Sequence, residues 1–549
     1  MPAREYLVDG DQGFIGLNSR DNPLNLGKSF VSKSQNFRFD RGVAILRKGA
    51  KRITNESVET LGQIYAACTY TTSTGVEYVI LVMGDKICIY NQDNESVVIN
   101  ISYPAGETIT SSDNVDVYQA QGIGYVYICR GFSKTTLRWN GVFAAGTIQV
   151  PGVSTHKDYP NSPHAIYYGN RHIVQVDQNT IKVSHYLADN GWSALDMFSI
   201  NDGSSDRLVA IAPWTLNEFV IFMRNSIMYA SVGVGAFNAG DQAQETDSYI
   251  KSLAVDIGSI AKDSIVQAGG AIIFLSDNGV YMLNPQGTAP NGGSANTPEG
   301  TRILTLSEPL SATINDVISR INFNKVQNSV AIYWENRYYL AVPLDSSEKN
   351  NAVLVYNFIN KAWESVDTYP GDFNIKSLIV CKKDNKRKLF AVDQELGLFL
   401  LESLEWDEYG AATGTPLLPL NDEDTFVLDT PSAILNPSSF QANQIQGELI
   451  TRAYSFETNR EKRFSGLQVD TFAPAGGVLY SNVIVTNPDT ETELIRYGIS
   501  SDEGTILRLP VRKCGQYIQG RFLTTNMRPS IYSTTLSSLV IGYTHKSQK

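Results

Sequence analysis

The chain has 549 residues, of which 42% are hydrophobic and 18% are charged, and its formal net charge is −11. This composition excludes a disordered chain and suits a β-rich globular protein, because apolar and aromatic residues are abundant enough to build a large core. The acidic balance also makes tight nucleic-acid binding a poor hypothesis, although a conduit through which DNA slides would itself be acidic.

Five scattered cysteines include no Cys-x-x-Cys pair, which predicts structural thiols made in a reducing compartment and neither a zinc nor a redox site. The N-terminal residues lack the apolar stretch of a signal peptide, and no run approaches the ~18 apolar residues that a membrane span needs. We therefore expect a protein made in a cytoplasm and without a membrane span.

Residues 1–60 are irregular in pattern and predict an extended N-terminal arm that docks on another surface, such as a neighbouring subunit. Within this arm, Phe37–Phe39 and Val43–Leu46 flank Asp40-Arg41-Gly42, a pattern typical of a β-hairpin with glycine at the turn. Basic residues follow the hairpin in Arg47–Arg52, and they could contact DNA phosphates or an acidic partner.

Residues 61–403 repeat a pattern of two apolar strands and a polar turn. The cores Gly75–Met83, Gly122–Arg130 and Gly169–Val176 start 47 residues apart, and related segments start at Leu216, Gly269, Glu335 and Asp384. A period in the forties that is built from strands predicts a β-propeller, here of about six to seven blades. The first blade could close with a strand from residues 37–46 or with one after residue 395.

Three further segments follow from composition and spacing. Apolar residues at helical spacing predict one amphipathic helix over residues 307–320, with Ser307 as its N-cap. A Pro- and acid-rich linker covers residues 404–445, and residues 446–549 alternate apolar and polar residues in the manner of a β-sandwich or small barrel. The fold class is therefore all-β: a propeller followed by a sandwich-like domain.

The candidate catalytic and metal-binding patterns favour structural interpretations. Glu402, Glu405, Asp407 and Glu408 form an acidic segment that we expect to be a solvated turn. Ser276–Tyr281 resembles the turn of sialidase propellers, but its Asp is one place early and the Trp is missing. His164, His172 and His185 fall within one blade without metal-ligand spacing. No nucleophile elbow or phosphate loop is present, so we predict no catalytic residue, no cofactor and no metal.

The arm contains a loose pattern: Gly13–Asn18, Arg20 to Leu24, Ser34–Asn36, Asp40–Gly42 and Leu46–Gly49. This pattern resembles the start of the nozzle, or tail tubular, proteins of short-tailed bacteriophages. It departs from that family in the basic pair Arg47-Lys48, which no prolines follow, and the chain is shorter than the larger nozzle proteins.

The resemblance implies a virion structural protein that is assembled in the bacterial host cytoplasm. Its implied partners are its own copies in a ring, expected to be a hexamer, the tail adaptor, tail fibre or spike proteins, and double-stranded DNA in passage. The arm would supply the assembly contacts, for which the candidates are Asn18, Arg20, Asp21, Arg38, Asp40, Arg41, Arg47 and Lys48.

Two other classes of function stay open. A host-surface glycan-binding propeller would show exposed aromatic residues clustered on one loop face. A propeller enzyme, such as a glycosidase or lyase, would show clustered acids or histidines at the tips of the blades.

Overall fold

A computed structural model describes most of the chain. The described residues are 6–54, 62–150, 159–192, 197–201, 203–214, 218–232, 249–283, 309–370, 373–404, 406–408, 445–457, 461–472, 479–487, 490–498, 505–511, 513–524, 528 and 530–540. They form forty β-strands and very little helix, as the composition predicts. Polar residues with positive φ, such as Asn170, Asp384 and Asn385, make the tight turns between strands.

The N-terminal segment forms six short strands. They are β1 (Tyr6–Asp11), β2 (Gly16–Leu17), β3 (Phe30–Gln35), β4 (Phe37–Asp40), β5 (Val43–Leu46) and β6 (Gly49–Arg52). The predicted hairpin is confirmed, because β4 and β5 pair with Asp40 opposite Val43 and the turn residues Arg41 and Gly42 have positive φ.

The next sixteen strands form four antiparallel sheets in chain order. Blade one contains β7 (Ile64–Thr71), β8 (Glu77–Met83), β9 (Lys86–Asn91) and β10 (Ser96–Ser102). Blade two contains β11 (Asp116–Ala120), β12 (Tyr125–Cys129), β13 (Leu137–Trp139) and β14 (Ile148–Gln149). Blade three contains β15 (Ala165–Tyr168), β16 (Arg171–Asp177), β17 (Thr180–Val183) and β18 (Met197–Ser199). Blade four contains β19 (Leu208–Pro213), β20 (Glu218–Met223), β21 (Ile227–Ser231) and β22 (Tyr249–Ala254).

Three more sheets complete a propeller of seven blades in the described residues. Blade five contains β23 (Val266–Ala268), β24 (Ala271–Ser276) and β25 (Gly279–Leu283). Blade six contains β26 (Val330–Trp334), β27 (Arg337–Val342), β28 (Ala352–Asn357) and β29 (Ala362–Thr368). Blade seven contains β30 (Ile375–Lys383), β31 (Lys386–Asp393) and β32 (Gly397–Leu404). The first strand of each blade is innermost, and β30 of blade seven packs beside β7 of blade one, which closes the ring.

The N-terminal strand β6 completes blade seven by pairing antiparallel with β32. Closure therefore uses a strand after residue 395 together with residues 49–52, whereas residues 37–46 lie elsewhere, in the C-terminal domain. The reason is that β4 and β5 bury Phe37, Phe39, Ala44 and Leu46, which match the apolar face of the C-terminal domain.

The C-terminal domain is a sandwich of two sheets, as predicted. Its strands are β33 (Gly447–Thr451), β34 (Lys462–Phe472), β35 (Leu479–Asn487), β36 (Thr490–Gly498), β37 (Thr505–Pro510), β38 (Cys514–Gly515), β39 (Tyr517–Thr524) and β40 (Ser530–Val540). One sheet has the order β37-β34-β40-β5-β4, with β1 also paired to β40. The other runs β33-β39-β35-β36 and is joined through β3 and β2 to β29 of blade six, which makes a ten-stranded sheet.

Residues 6–52 therefore pair with their own chain, which corrects the expectation that the arm docks on a neighbouring subunit. Its strands find open edges on β29, β32, β33 and β40, and these edges satisfy the backbone hydrogen bonds of the arm. One continuous hydrophobic core then runs from blades five and six through the arm into the sandwich, and it includes Phe14, Leu340 and Phe522.

The helix predicted over residues 307–320 is shorter than expected. A 3-10 turn at Ala312–Ile314 leads into α1 (Asn315–Ile318), while Ser307 lies outside the described residues. The apolar positions were correctly identified, since Ile314, Val317 and Ile318 are buried in the continuous core. The helix ends early because the chain bends to bring Ile321 into a bridge with Leu344.

All five cysteines are free, as the sequence predicts for structural thiols. Burial raises the pKa of Cys88 and of Cys381 to about 12, so both behave as small apolar side chains in their strands. In the described part of the chain, no helix has the length and apolar character needed to cross a membrane.

Candidate functional site

A cavity of about 1350 Å³ occupies one end of the propeller channel. Its wall contains residues at or just before the inner strand of every blade, such as Ala66, Asp116 and Lys376, and we call this region the channel mouth. The fold brings these residues together from positions hundreds of residues apart, so no local motif in the sequence could indicate the site.

Asp116 and His164 form the centre of one side of the channel mouth. The Asp116 carboxylate lies 2.6 Å from Nδ1 of His164, and Nε2 of His164 lies 3.1 Å from the carbonyl oxygen of Ile211. Both ring nitrogens face oxygen acceptors, so the imidazole satisfies both contacts only when it carries two protons. These bonds connect blades two, three and four.

Lys262 reaches across the channel from blade five to blade two. Its Nζ donates to the carbonyl oxygen of Val115 at 2.9 Å and lies 3.9 Å from Asp116. Burial is the largest single influence and acts to lower the pKa of Lys262, but Asp116, Asp263 and Cys129 together outweigh it and the net shift is upward. Burial likewise opposes ionisation of Asp116, yet Lys262 and then His164 hold its pKa below the usual range. The charged Lys262 side chain therefore spans the channel from blade five to blade two.

Lys376 and Arg207 also line the mouth, and their charged groups donate no hydrogen bond to any residue that the structure describes. Burial lowers the pKa of Lys376, the neighbouring Lys262 lowers it further, and Asp263 acts in the opposite direction. Arg207 is exposed at the rim. Lys376 is half-buried, and Asp263 is its counter-charge.

Other charges near the mouth are paired and contribute less to its potential. Arg130 contacts Glu107 at 2.5 Å, and Lys134 contacts Asp113 at 2.6 Å. The remaining wall is rich in amides, and it also includes the ring of Phe132, which is 43% exposed.

In the structure both ring nitrogens of His164 are engaged with oxygen atoms, one with the carboxylate of Asp116 and the other with the carbonyl of Ile211. Among the residues that the structure describes, no group of three or more His, Cys, Asp or Glu side chains could hold a metal ion.

A second polar site holds the arm against blades six and seven, and we call it the junction cluster: Arg38, Arg47, Asp367, Glu402 and Asp407. Arg47 and Asp407 are almost fully buried, and the Arg47 Nη2 atom lies 2.6 Å from the Asp407 carboxylate. Arg38 contacts Asp367 and Glu402, each at 2.5 Å. Burial alone would lower the pKa of both arginines, but these carboxylates raise it.

The acidic segment at residues 402–408 is thus not the solvated turn that the sequence predicts. Glu402 and Asp407 bind the arm arginines, and Glu408 accepts a hydrogen bond from the backbone N–H of Arg52. Glu405 lies outside the described residues. The spacing of charges within either segment contains no sign of this pairing, because its partners lie more than 350 residues apart in the chain.

The eight candidate assembly contacts therefore divide into two groups. Arg38 and Arg47 are buried and bind carboxylates of their own chain, as described above. The other six lie at or near the surface: Asn18, Arg20, Asp21, Asp40, Arg41 and Lys48. Asn18 and Asp21 are linked by side-chain hydrogen bonds, and Arg20 reaches the carbonyl oxygen of Ala312 at 3.4 Å.

Two other predicted features have structural roles. Ser276–Tyr281 is a hairpin turn between β24 and β25, as expected. The three histidines of blade three do not converge on a metal in the described residues: His164 faces the channel, whereas His172 is buried among Tyr118, Tyr127 and Tyr159 and bonds to the Tyr118 hydroxyl at 2.8 Å.

No family model and no curated protein matches the chain. A luciferin-regenerating enzyme is 10% identical, covers 65% of this chain and 96% of its own, and has a TM-score of 0.34. Dihydro-heme d1 dehydrogenase NirN in complex with DHE is 12% identical, with coverages of 83% and 80% and a TM-score of 0.36. BBS1N in complex with ARL6DN is 13% identical, with coverages of 62% and 76% and a TM-score of 0.24.

Likenesses this distant rest on identities of 10–13% and on TM-scores below 0.5. They carry no argument about what this chain does. That this chain is not an enzyme therefore stays a prediction.

Proposed function

We propose that the chain is a virion structural protein, the nozzle of a short bacteriophage tail, in which several copies form a ring below the portal and adaptor. The observation that carries this proposal is the position of the segment that resembles nozzle proteins. Residues 13–49 supply strands to the sandwich and to the extended sheet of blade six, and they end where β6 closes blade seven. This segment joins the two domains of the chain.

Several residues of the pattern are needed where the arm connects the propeller to the sandwich. A Cβ at Gly16 would overlap the side chain of Ala362, and one at Gly49 would overlap the carbonyl oxygen of Trp406. Arg47, in the basic pair of the pattern, is the centre of the junction cluster. The residues of the pattern connect the propeller to the sandwich. The resemblance to nozzle proteins therefore concerns the connection between these two domains.

The conduit for DNA would lie between copies of the chain and not through the propeller. The Lys262 side chain spans the propeller channel and bonds to the carbonyl oxygen of Val115. A ring of copies would place the genome on the ring axis, where a net charge of −11 per chain favours sliding over gripping. The six surface residues of the arm remain candidates for contacts with a neighbour or the adaptor.

The proposal is tested by immunogold electron microscopy. Antibody raised against the recombinant chain is applied to particles from lysates of infected source cells, with antibody that has been absorbed on the recombinant chain as the control. We expect gold at the base of short tails. Gold on distal fibres would replace the nozzle with the receptor-binding alternative, and particles without gold would overturn the virion assignment.

A further inference from the structure

His164 joins three blades of the propeller at the channel mouth. Its Nδ1 atom lies 2.6 Å from the carboxylate of Asp116 on blade two, and its Nε2 atom lies 3.1 Å from the carbonyl oxygen of Ile211 on blade four. Its own carbonyl oxygen accepts the backbone N–H of Gln175 on blade three at 3.0 Å. The His164 side chain is only 12% exposed, so water competes little for these contacts. The imidazole is therefore a fixed connection between neighbouring blades.

This connection needs two protons on the ring. Carboxylate and carbonyl oxygens only accept hydrogen bonds, so each ring nitrogen must carry a hydrogen in order to bond its partner. A neutral imidazole carries one hydrogen, which the carboxylate of Asp116 favours on Nδ1. The lone pair of Nε2 then faces the carbonyl oxygen of Ile211. Loss of one proton thus replaces the contact between blades three and four with two acceptors that face each other.

The other ionisable groups around His164 were compared with it for a change of charge near neutral pH. They are Asp116, Lys262, Asp263, Arg207 and Lys376, the thiols of Cys68 and Cys129, and, further out, Arg130, Lys134 and Lys325, each paired with a carboxylate. Carboxylates, lysines and arginines ordinarily keep their charge between pH 5 and 8. Burial, with Asp116, raises the pKa of Cys68 to about 12. Burial lowers the pKa of Lys376, so this residue needs a control.

We infer that His164 is a proton-dependent link, which holds blade four against blades two and three at acidic pH and releases it as the pH rises through the neutral range. The channel mouth is then rigid in acid and looser above neutral pH. The link involves the propeller alone and does not depend on a role in a phage tail.

Hydrogen–deuterium exchange of the full chain, read by mass spectrometry, tests the inference from pH 5.5 to pH 8.5. Labelling times are scaled to the intrinsic exchange rate at each pH. Peptides that cover β19 (Leu208–Pro213) report on the contact at Ile211. We expect their protection to fall about tenfold between the two ends of this range, because the hydrogen bond that is lost has a charged donor.

Two variants remove the pH dependence in opposite directions. His164→Gln has no titrating group at this position, and protection of β19 should be low at every pH. Asp116→Asn should keep protection high at every pH, because the amide donates to Nδ1 and the neutral ring then holds its hydrogen on Nε2 for Ile211. A merely structural role of His164 does not predict this difference. Asp116→Asn tests the same proton even where His164→Gln does not fold.

The matched controls are Lys376→Met and His185→Gln. The first removes the other cation with a lowered pKa, and the second makes the same substitution after β17, at the far end of blade three. Both should retain the pH dependence of the unmodified chain, and thermal unfolding verifies that each variant is folded. Constant protection of β19 in the unmodified chain, an unchanged pH dependence in His164→Gln, or its loss in Lys376→Met would each overturn the inference.

Discussion

The junction cluster and the channel mouth both hold cations near carboxylates, but the two sites differ in burial and in hydrogen bonding. At the junction, Arg47 has five hydrogen-bond donors and makes five hydrogen bonds, to Asn36, Asp407, Thr368 and the carbonyl of Lys48. At the mouth, the ammonium of Lys376 makes none within the described residues. The buried, fully bonded Arg47 holds parts of the chain together, whereas Lys376 is half-buried with Asp263 as its counter-charge.

The comparison also separates the two functional hypotheses. The junction cluster supports an architectural role, because it fixes the arm, the propeller and the sandwich in one arrangement. The channel mouth supports a proton-dependent link that involves the propeller alone. Each site can be changed without touching the other, so the two roles can be tested separately.

The largest expected effect is at the junction. Replacing Arg47 with Met leaves the Asp407 carboxylate buried without its partner, which should lower the free energy of unfolding by about 3–5 kcal/mol. Urea denaturation measures the loss. The double variant Arg47→Met with Asp407→Leu should recover part of it, because no charge is then left unpaired. Equal stability of the single variant and the unmodified chain would show that the cluster does not hold the arm.

A smaller loss is expected from Asp116→Asn at the mouth, because hydrogen bonds to charged groups each contribute about 1.5–3 kcal/mol. The pKa of Asp116 is lowered in the folded chain, so its stabilisation is present above the unfolded value of about 3.9 and is lost as pH falls below it. Unfolding measured between pH 2 and 7 should therefore show a weaker acid dependence in Asp116→Asn than in the unmodified chain. An unaltered acid profile would contradict this assignment.

A small effect of the opposite sign is expected for Lys376→Met: the free energy of unfolding should rise by less than about 1 kcal/mol, because Lys376 is only half-buried and Asp263 partly offsets its desolvation. Burial lowers the pKa of Lys376, so the unfolded chain binds more protons at this position in the pH range between the folded and unfolded pKa values. The stability cost is full below that range and is relieved as pH rises towards 10. Thermal unfolding from pH 7 to 10 should rise less steeply in the variant, and a destabilised Lys376→Met would contradict the comparison.

Sequence patterns predicted the propeller because each strand core, such as Val79–Val82, contains its own signal of apolar run and turn. The Asp40–Gly42 hairpin and the apolar positions of the helix at Ile314 were visible for the same local reason. Pairings between distant segments were not visible in the sequence. The contact of Arg47 with Asp407 and the crossing of the channel by Lys262 depend on ring closure, which no single segment encodes. The candidate site could be found only once seven inner strands had been brought together.

The smallest effect is expected for an ion pair that has the bonding geometry of the junction cluster but is exposed to solvent. Arg224 and Asp277 form a two-pronged ion pair at 2.6 and 2.7 Å between blades four and five, but their side chains are 43% and 45% exposed. Solvent screening limits such a pair to about 0.2–1 kcal/mol, so Arg224→Ala should barely shift the urea midpoint. A double-mutant cycle with Asp277→Ala isolates the pair. A coupling as large as that at Arg47 would mean that hydrogen-bond geometry, and not burial, sets the strength of these contacts.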